Sequence, residues 1–182
     1  MRYRAAILAL LVHLSVMGAT AQGAEPQVAD PQEARGVRLD TPSGYPVPRF
    51  LSLKHAATNC RTGPSLDHPV RFVFKRAGAP VLVVAESVDH WRKLRDPDGD
   101  ECWVHETTLK AQTHILVREG VTLRRQPKPD AGVSARLGPG VLARLLKRKG
   151  DFLLVMAENA KGWVAKEDVW GGDALGDFAA RD

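Results

Sequence analysis

Short apolar runs that alternate with polar residues, separated by turn-forming residues, dominate the chain from Phe50 onward. In the first half, runs of this kind predict strands at residues 50–54, 70–74, 81–84 and 91–94. Glycine, proline and aspartate interrupt the runs between these strands. No segment sustains the 3.6-residue period of a capped amphipathic helix. The pattern therefore predicts an all-β chain.

The second half of the chain repeats the first half at an offset of about 60 residues. Cys102-Trp103-Val104 corresponds to Gly162-Trp163-Val164, and the run that begins at Trp91 corresponds to the run that begins at Phe152. A unit of this size with five short strands suits a small, strongly bent barrel. Because its core is marginal alone, packing between the two copies is expected.

The residues before the first strand predict export followed by a linker. A basic start at Met1–Arg4, an apolar run and Ala19-Thr20-Ala21 are typical of a signal peptide over 1–21, with cleavage after Ala21. The apolar run is too short to cross a hydrocarbon layer of roughly 30 Å. Residues 22–48 are rich in proline and small polar residues, which predicts a disordered linker. The mature protein is expected to be periplasmic or secreted, without a membrane span.

Composition narrows the classes of protein that fit. The chain has 182 residues, of which 44% are hydrophobic and 26% charged, which excludes collagen-like and wholly disordered chains. Two cysteines exclude a disulfide-dense miniprotein. Removal of Arg2 and Arg4 with the signal peptide lowers the formal net charge from +5 to +3. Export argues against a nucleic-acid partner, so an anionic envelope component is the more natural counter-charge.

The order of motifs along each copy resembles the bacterial SH3 (SH3b-like) domain family, above all exported proteins with two such domains in tandem. In the first copy the pattern is carried by Asn59, Arg61, Gly63, Pro64, Ser65, Pro69, Gly78, Pro80, Trp91, Asp98, Gly99, Trp103 and Val104. In the second copy it is carried by Arg124, Pro127, Gly140, Gly162, Trp163 and Val164. The resemblance implies two tandem small SH3-like β-barrels, over 49–111 and 112–171, with a tail over 172–182. It also implies a binding or targeting module, commonly of the cell wall, without catalytic residues of its own.

Cys60 and Cys102 give the most specific chemical prediction in the chain. Both occupy core-facing positions in the strand alternation, so in an oxidising compartment they are expected to form a disulfide. Two free buried thiols are the plain alternative. A Cys-His hydrolase is a third reading, although it needs an exposed thiolate activated by a base.

Other reactive residue types do not form a recognisable catalytic or metal-binding pattern. The acidic run Asp96–Glu101 lacks EF-hand spacing and is better explained as a hairpin turn at Asp98-Gly99. The mature histidines lack paired metal-ligand spacing. Ser65–His68 holds the residue types of a catalytic triad within one loop, where they cannot surround a substrate. The sequence predicts no enzyme activity, cofactor or metal.

The candidate ligand-binding residues lie in the first copy. Arg61, Pro64 and Asp67 of one loop, with Trp91 and Trp103, are expected to form the contact surface, and half-buried packing of the two indoles is the alternative. Charge is uneven, since residues 86–106 are acidic and residues 118–149 basic. Three interpretations of this charge distribution are open. The two copies dock on each other through their opposite charges, the basic copy faces an anionic polymer, or both charged faces are solvated and have no partner.

These observations favour a non-catalytic exported module of the cell envelope that binds a cell-wall peptide or glycan, or an envelope protein. The alternative is a structural or assembly protein whose SH3-like domains mediate protein–protein contacts only. An exported thiol hydrolase is a distant third hypothesis.

Overall fold

A computed structural model describes residues 36–172, and within that range the chain forms thirteen β-strands. The first seven are β1 (Arg49–Leu53), β2 (Thr58–Arg61), β3 (Val70–Phe74), β4 (Pro80–Glu86), β5 (Trp91–Arg95), β6 (Glu101–His105) and β7 (Leu109–Ala111). The next six are β8 (His114–Leu116), β9 (Val121–Arg124), β10 (Val133–Leu137), β11 (Leu142–Lys149), β12 (Phe152–Ala157) and β13 (Ala160–Ala165). Single 3₁₀ turns, Glu106–Thr108 and Lys166–Asp168, follow β6 and β13. The predicted all-β fold class is confirmed.

The two halves form two antiparallel sheets with the same strand order. The first sheet runs β3-β2-β6-β5-β4-β1-β7, and the second runs β10-β9-β13-β12-β11-β8. In the second sheet a single bridge between Leu116 and Trp170 takes the place of β7. The pairings found within residues 36–172 leave each sheet open at its ends, so each domain is a curved SH3-like sheet whose ladder does not close. Among these residues no helix is long and apolar enough to cross a membrane.

Each sheet encloses its own hydrophobic core. The first core contains Leu53, Leu94 and Val104, and the second contains Ile115 and Leu153, all almost fully buried. Alternation along the strands produces this burial, because every second residue of a strand faces the same side. The two cores are separate clusters, as expected for two small domains in tandem.

The predicted disulfide is present in the first core. Cys60 and Cys102 are bonded, with Cα atoms 5.5 Å apart. The second domain fills the same space with Leu123 and Gly162, and a Cβ added at Gly162 would lie only 2.7 Å from Cβ of Leu123. The same position in the core is therefore filled by a disulfide in the first domain and by a leucine packed against a glycine in the second.

The prediction of a disordered linker over 22–48 is wrong for residues 36–48. Arg38 and Val47 form an antiparallel bridge, and the Val47 side chain is 2% exposed within the first core. Composition did not reveal this order because it comes from contacts with residues far along the chain. The signal peptide, the rest of the linker up to residue 35 and the tail from residue 173 lie outside the described residues.

A buried ionic cluster fastens this segment to the first sheet. The carboxylate of Glu86 is fully buried and pairs with Arg49 and with Arg92, whose Nε lies 3.2 Å away. Ser43 donates to it from its backbone nitrogen at 3.0 Å and from its hydroxyl at 2.9 Å. Burial alone would raise the pKa of Glu86, but the hydrogen bonds from Ser43 and Arg49 outweigh burial and lower that pKa. The cluster thus holds a charged carboxylate.

The two domains touch through the end of the second one. The indole Nε1 of Trp170 donates to the carbonyl of Pro80 at 3.0 Å, and its ring stands edge-on to Phe50 at a centroid distance of 5.1 Å. Arg76 of the first domain donates to the carbonyl of Gly140 at 2.7 Å. These contacts place an aromatic residue of each domain at the junction.

His114 lies at this junction with its ring against Gly78, where an added Cβ would sit 2.9 Å from Nδ1. Burial lowers the pKa of His114, and the positive charges of Lys110, Arg144 and Arg76 lower it further. These surroundings therefore favour the neutral form of the imidazole.

Candidate ligand-binding groove

The structure brings two of the five predicted contact residues together across neighbouring strands. Arg61 at the end of β2 is the cross-strand partner of Trp103 on β6. Trp91 begins β5 and pairs with His105, two residues beyond Trp103 on the same face. Pro64 and Asp67 lie in the loop between β2 and β3.

Arg61 shapes this loop from within. Its Nη1 donates to the carbonyls of Leu66 at 3.1 Å and His68 at 2.8 Å. The His68 ring covers Gly63 so closely that a Cβ there would lie 2.2 Å from a ring carbon, so a larger residue would displace this ring. Because the guanidinium is engaged with the backbone, Arg61 acts first as a support for the loop. Asp67, by contrast, is exposed.

Ser65 and His68 meet inside the same loop, where Ser65 Oγ lies 2.8 Å from His68 Nδ1. The Ser65 hydroxyl also accepts the backbone N–H of Asp67 at 3.2 Å. A hydroxyl that accepts a backbone N–H two residues on forms an ST turn, a common loop structure.

The two tryptophans differ in what they offer a ligand. Trp91 is 7% exposed and packs edge-on against His105 at a centroid distance of 5.6 Å. Trp103 is half-buried, beside its cross-strand partner Lys93, which is paired with Glu101. Trp103 therefore has ring surface available for contact, whereas Trp91 has little.

A larger concave surface lies on the second domain and at the junction. It is a groove with a volume of about 980 Å³. We call it the junction groove; its lining includes Phe50, Arg118, Glu119, Thr122, Arg124, Pro129, Asp151, Phe152, Glu167, Asp168 and Trp170. Phe50 comes from the first domain, and the other lining residues belong to the second.

The junction groove combines aromatic rings with charges of both signs. Phe50, Phe152 and Trp170 supply the rings. Asp151 is paired with Lys166 at 2.7 Å, and Arg124 donates to the carbonyl of Ala131 at 3.0 Å. Arg118, Glu119, Glu167 and Asp168 are exposed along the lining. Such a lining suits a ligand with apolar faces and several polar groups.

Sequence reasoning missed the junction groove because Phe50 and Trp170 come from opposite ends of the two-domain unit. The signal that pointed toward it is the repeat itself. Phe152 corresponds to Trp91, and Thr122 and Arg124 correspond to Asn59 and Arg61 of the first copy. The candidate surface of the second copy was therefore visible, but its wall from the first copy was not.

The acidic run after β5 forms the predicted hairpin turn. Asp96 Oδ1 accepts the backbone N–H groups of Asp98 at 3.0 Å and Asp100 at 2.9 Å, and Gly99 adopts a φ of 93°. Asp100 is also paired with Arg71 at 2.8 Å. Within residues 36–172, no group of three or more histidine, cysteine, aspartate or glutamate residues is placed to hold a metal ion.

Comparisons with solved structures return proteins of distant sequence. Similar chains include NlpC2 from Trichomonas vaginalis, with 11% identity and a TM-score of 0.32 over 69% of this chain and 48% of that one. Another is an NlpC/P60 family protein from Bacillus cereus ATCC 10987, with 15% identity and a TM-score of 0.31 over 66% of this chain and 55% of that one. The chain thus spans about half the length of these structures. A search of curated proteins finds no match.

Comparison with protein-family models gives a match in each half of the chain. The model described as bacterial SH3 domain matches residues 54–110 and again residues 117–171. The two matches fall on the two sheets and together cover more than half of the chain. The protein is therefore a tandem member of the bacterial SH3 domain family.

Proposed function

We propose that this protein is a non-catalytic, exported binding module of the bacterial cell envelope whose junction groove binds a cell-wall peptide or glycan. The observation that carries the proposal is the groove itself, a concave surface with three aromatic rings and charged groups of both signs. Its volume of about 980 Å³ lies in the range of roughly 300–1,000 Å³ typical of ligand sites.

The chemistry of the groove fits this ligand class. Aromatic rings pack against the apolar faces of sugars and against aliphatic side chains. Carboxylates and guanidinium groups fix the orientation of hydroxyl, amide and amine groups, which both peptides and glycans carry. Exposed charged groups for this purpose are supplied by Arg118, Glu119, Glu167 and Asp168, and none of the four forms an ion pair within residues 36–172.

The state of the cysteines supports a non-catalytic role. Cys60 and Cys102, the two cysteines of the sequence, are bonded to each other in the first core. A thiol hydrolase needs a free, exposed thiolate, which this arrangement does not supply. The pairing of the two cysteines supports the proposal that these two domains bind their ligand rather than cleave it.

The repeat provides a matched pair of variants to test the site. Thr122→Trp places a large ring in the junction groove without removing a core side chain, because Thr122 is an outward-facing residue of β9. Asn59→Trp makes the same change at the equivalent, exposed position of the first domain, close to Arg61 and Trp103. The measurement is co-sedimentation of each purified full-length mature variant with isolated cell-wall sacculi.

Wild type and Asn59→Trp are expected to sediment with sacculi, and Thr122→Trp to stay in the supernatant. If only Asn59→Trp loses binding, the junction groove is not the binding site. Binding would then be assigned to the surface of Arg61, Pro64, Asp67 and Trp103. If wild type does not bind sacculi, the proposal fails. The assembly-protein alternative then becomes the working hypothesis.

A further inference from the structure

The outer face of the second sheet carries an apolar stripe that its core does not use. Phe152, Leu154 and Met156 alternate along β12 with Leu153 and Val155, which are fully buried in the core. The three stripe residues therefore point to the opposite side of the sheet, and each is half-buried. None of them belongs to the second core or packs against it.

Basic residues flank this stripe on both neighbouring strands. On β11, Arg144 lies opposite Met156, and Lys147 lies opposite Leu154 after a bulge. Lys149 lies opposite Phe152. All three basic residues are exposed.

On the other side of the stripe, β13 places Lys161 opposite Met156 and Trp163 opposite Leu154. Within residues 36–172, the four basic residues Arg144, Lys147, Lys149 and Lys161 form no ion pair with a carboxylate. The carboxylates of β12's surroundings, Asp151 and Glu158, lie in the turns beyond its two ends. We call this surface, from Arg144 to Trp163, the basic-rimmed face.

The equivalent face of the first domain carries charged residues where the second domain carries the apolar stripe. The positions equivalent to the apolar stripe hold Trp91, Lys93 and Arg95. Both Lys93 and Arg95 are paired with Glu101 on the neighbouring strand. The repeat thus replaces a face of paired cations by an apolar face with unpaired cations at its edge.

We infer that the basic-rimmed face docks an acidic amphipathic segment of a partner protein. Unpaired cations on both sides of an apolar stripe complement a segment with apolar residues on one side and carboxylates beside them. Arg144 already leans over the stripe, with Nη2 3.7 Å from the sulfur of Met156. Long basic side chains that lie beside apolar groups cover them until a partner replaces that cover.

The apolar stripe lies below the ends of the basic side chains around it, and this recess favours a protein segment rather than a lipid bilayer as its partner. Binding in a bilayer interface requires apolar side chains that reach about 5–10 Å into it. Here the apolar side chains are half-buried and lie between longer lysine and arginine side chains. A segment that brings its own apolar side chains down onto the stripe meets this geometry.

The test uses fluorescent synthetic peptides and the full-length mature protein. The probe is an amphipathic helical peptide of about 14 residues, about the length of the stripe and its rim, with leucine on one face and glutamate beside it. Two matched peptides replace leucine by serine or glutamate by glutamine. The protein variants are Leu154→Thr, the double variant Lys147→Glu/Lys149→Glu, and the control Lys54→Glu/Lys75→Glu, which reverses two exposed lysines of the first domain.

Wild type and the first-domain control are expected to bind the probe peptide equally. Both matched peptides, and both face variants, are expected to bind about tenfold more weakly, because charge and apolar contact each contribute. Phe152 is shared with the junction groove, whereas Leu154 does not line that groove. Leu154→Thr should therefore leave co-sedimentation with sacculi unchanged, which separates the basic-rimmed face from the junction groove.

Three results would overturn the inference. If the serine peptide binds as tightly as the probe, the face recognises charge alone. Equal weakening by the first-domain control would show a non-specific charge effect. Binding to vesicles of phosphatidylglycerol without binding to the probe would assign the face to a lipid surface.

Discussion

Reduction of the Cys60–Cys102 disulfide is expected to destabilise the first domain and leave the second domain unchanged. The bridge joins residues 42 positions apart in the sequence. In the chain-entropy model, a loop of this length restricts the unfolded chain by about 4 kcal/mol at 25 °C. The second core contains no residue of the first domain, so this loss should remain local.

Hydrogen exchange at increasing urea concentration, read by mass spectrometry on peptides from each domain, measures both stabilities in one chain. Oxidised and reduced protein have the same sequence, so the comparison removes only the covalent bond. The control is the variant Cys60→Leu/Cys102→Gly, which carries the residue types that the second domain has at these positions, Leu123 and Gly162. The stability of this variant should not respond to reductant. Equal loss in both domains, or no loss in the first, would refute the reasoning.

Three further predictions concern charge and the junction. Glu86→Gln should lower the free energy of unfolding by about 3 kcal/mol at neutral pH, because it leaves Arg49 buried without its partner. In the wild type, the contribution of Glu86 to stability is present above the pKa that Glu86 has in the unfolded chain, and it is lost as pH falls through the lower pKa of the folded state. His114 binds its proton less readily in the folded state, so stability should fall as pH drops below the ordinary histidine pKa of 6.5 toward the lower pKa of the folded state, and urea titrations of His114→Gln should lack this fall. Trp170→Ala removes the edge contact with Phe50, worth about 1 kcal/mol beyond its burial, and small-angle X-ray scattering should then show a more extended two-domain chain.

The repeat is the feature that sequence reasoning could predict best. The strand alternation and the spacing of Trp103 and Trp163 are local properties, and they indicated two copies of one β unit in the order that the structure has. The disulfide was also accessible, because the alternation places Cys60 and Cys102 on the core side. Local periodicity is sufficient for such features because it reports directly which side of a strand is buried.

Features that depend on contacts across the chain were not accessible in the same way. Residues 36–48 have the composition of a linker, yet Ser43 and Val47 are held by Glu86 and by the first core. Similarly, Arg61 had the chemistry of a ligand contact, but in the fold its guanidinium supports a loop. In each case the deciding partner lies on another strand or loop, where the sequence pattern does not reveal the contact.

The proposal that the second domain supplies the binding surface is tested most directly by residue-resolved NMR. Soluble cell-wall fragments, released from sacculi by a muramidase, are titrated into ¹⁵N-labelled full-length protein. We predict the largest amide shifts at Arg118–Thr122, Phe152 and Asp168, which line the junction groove. Shifts confined to the Arg61–His68 loop and Trp103, or no shifts at saturating fragment, would contradict the account.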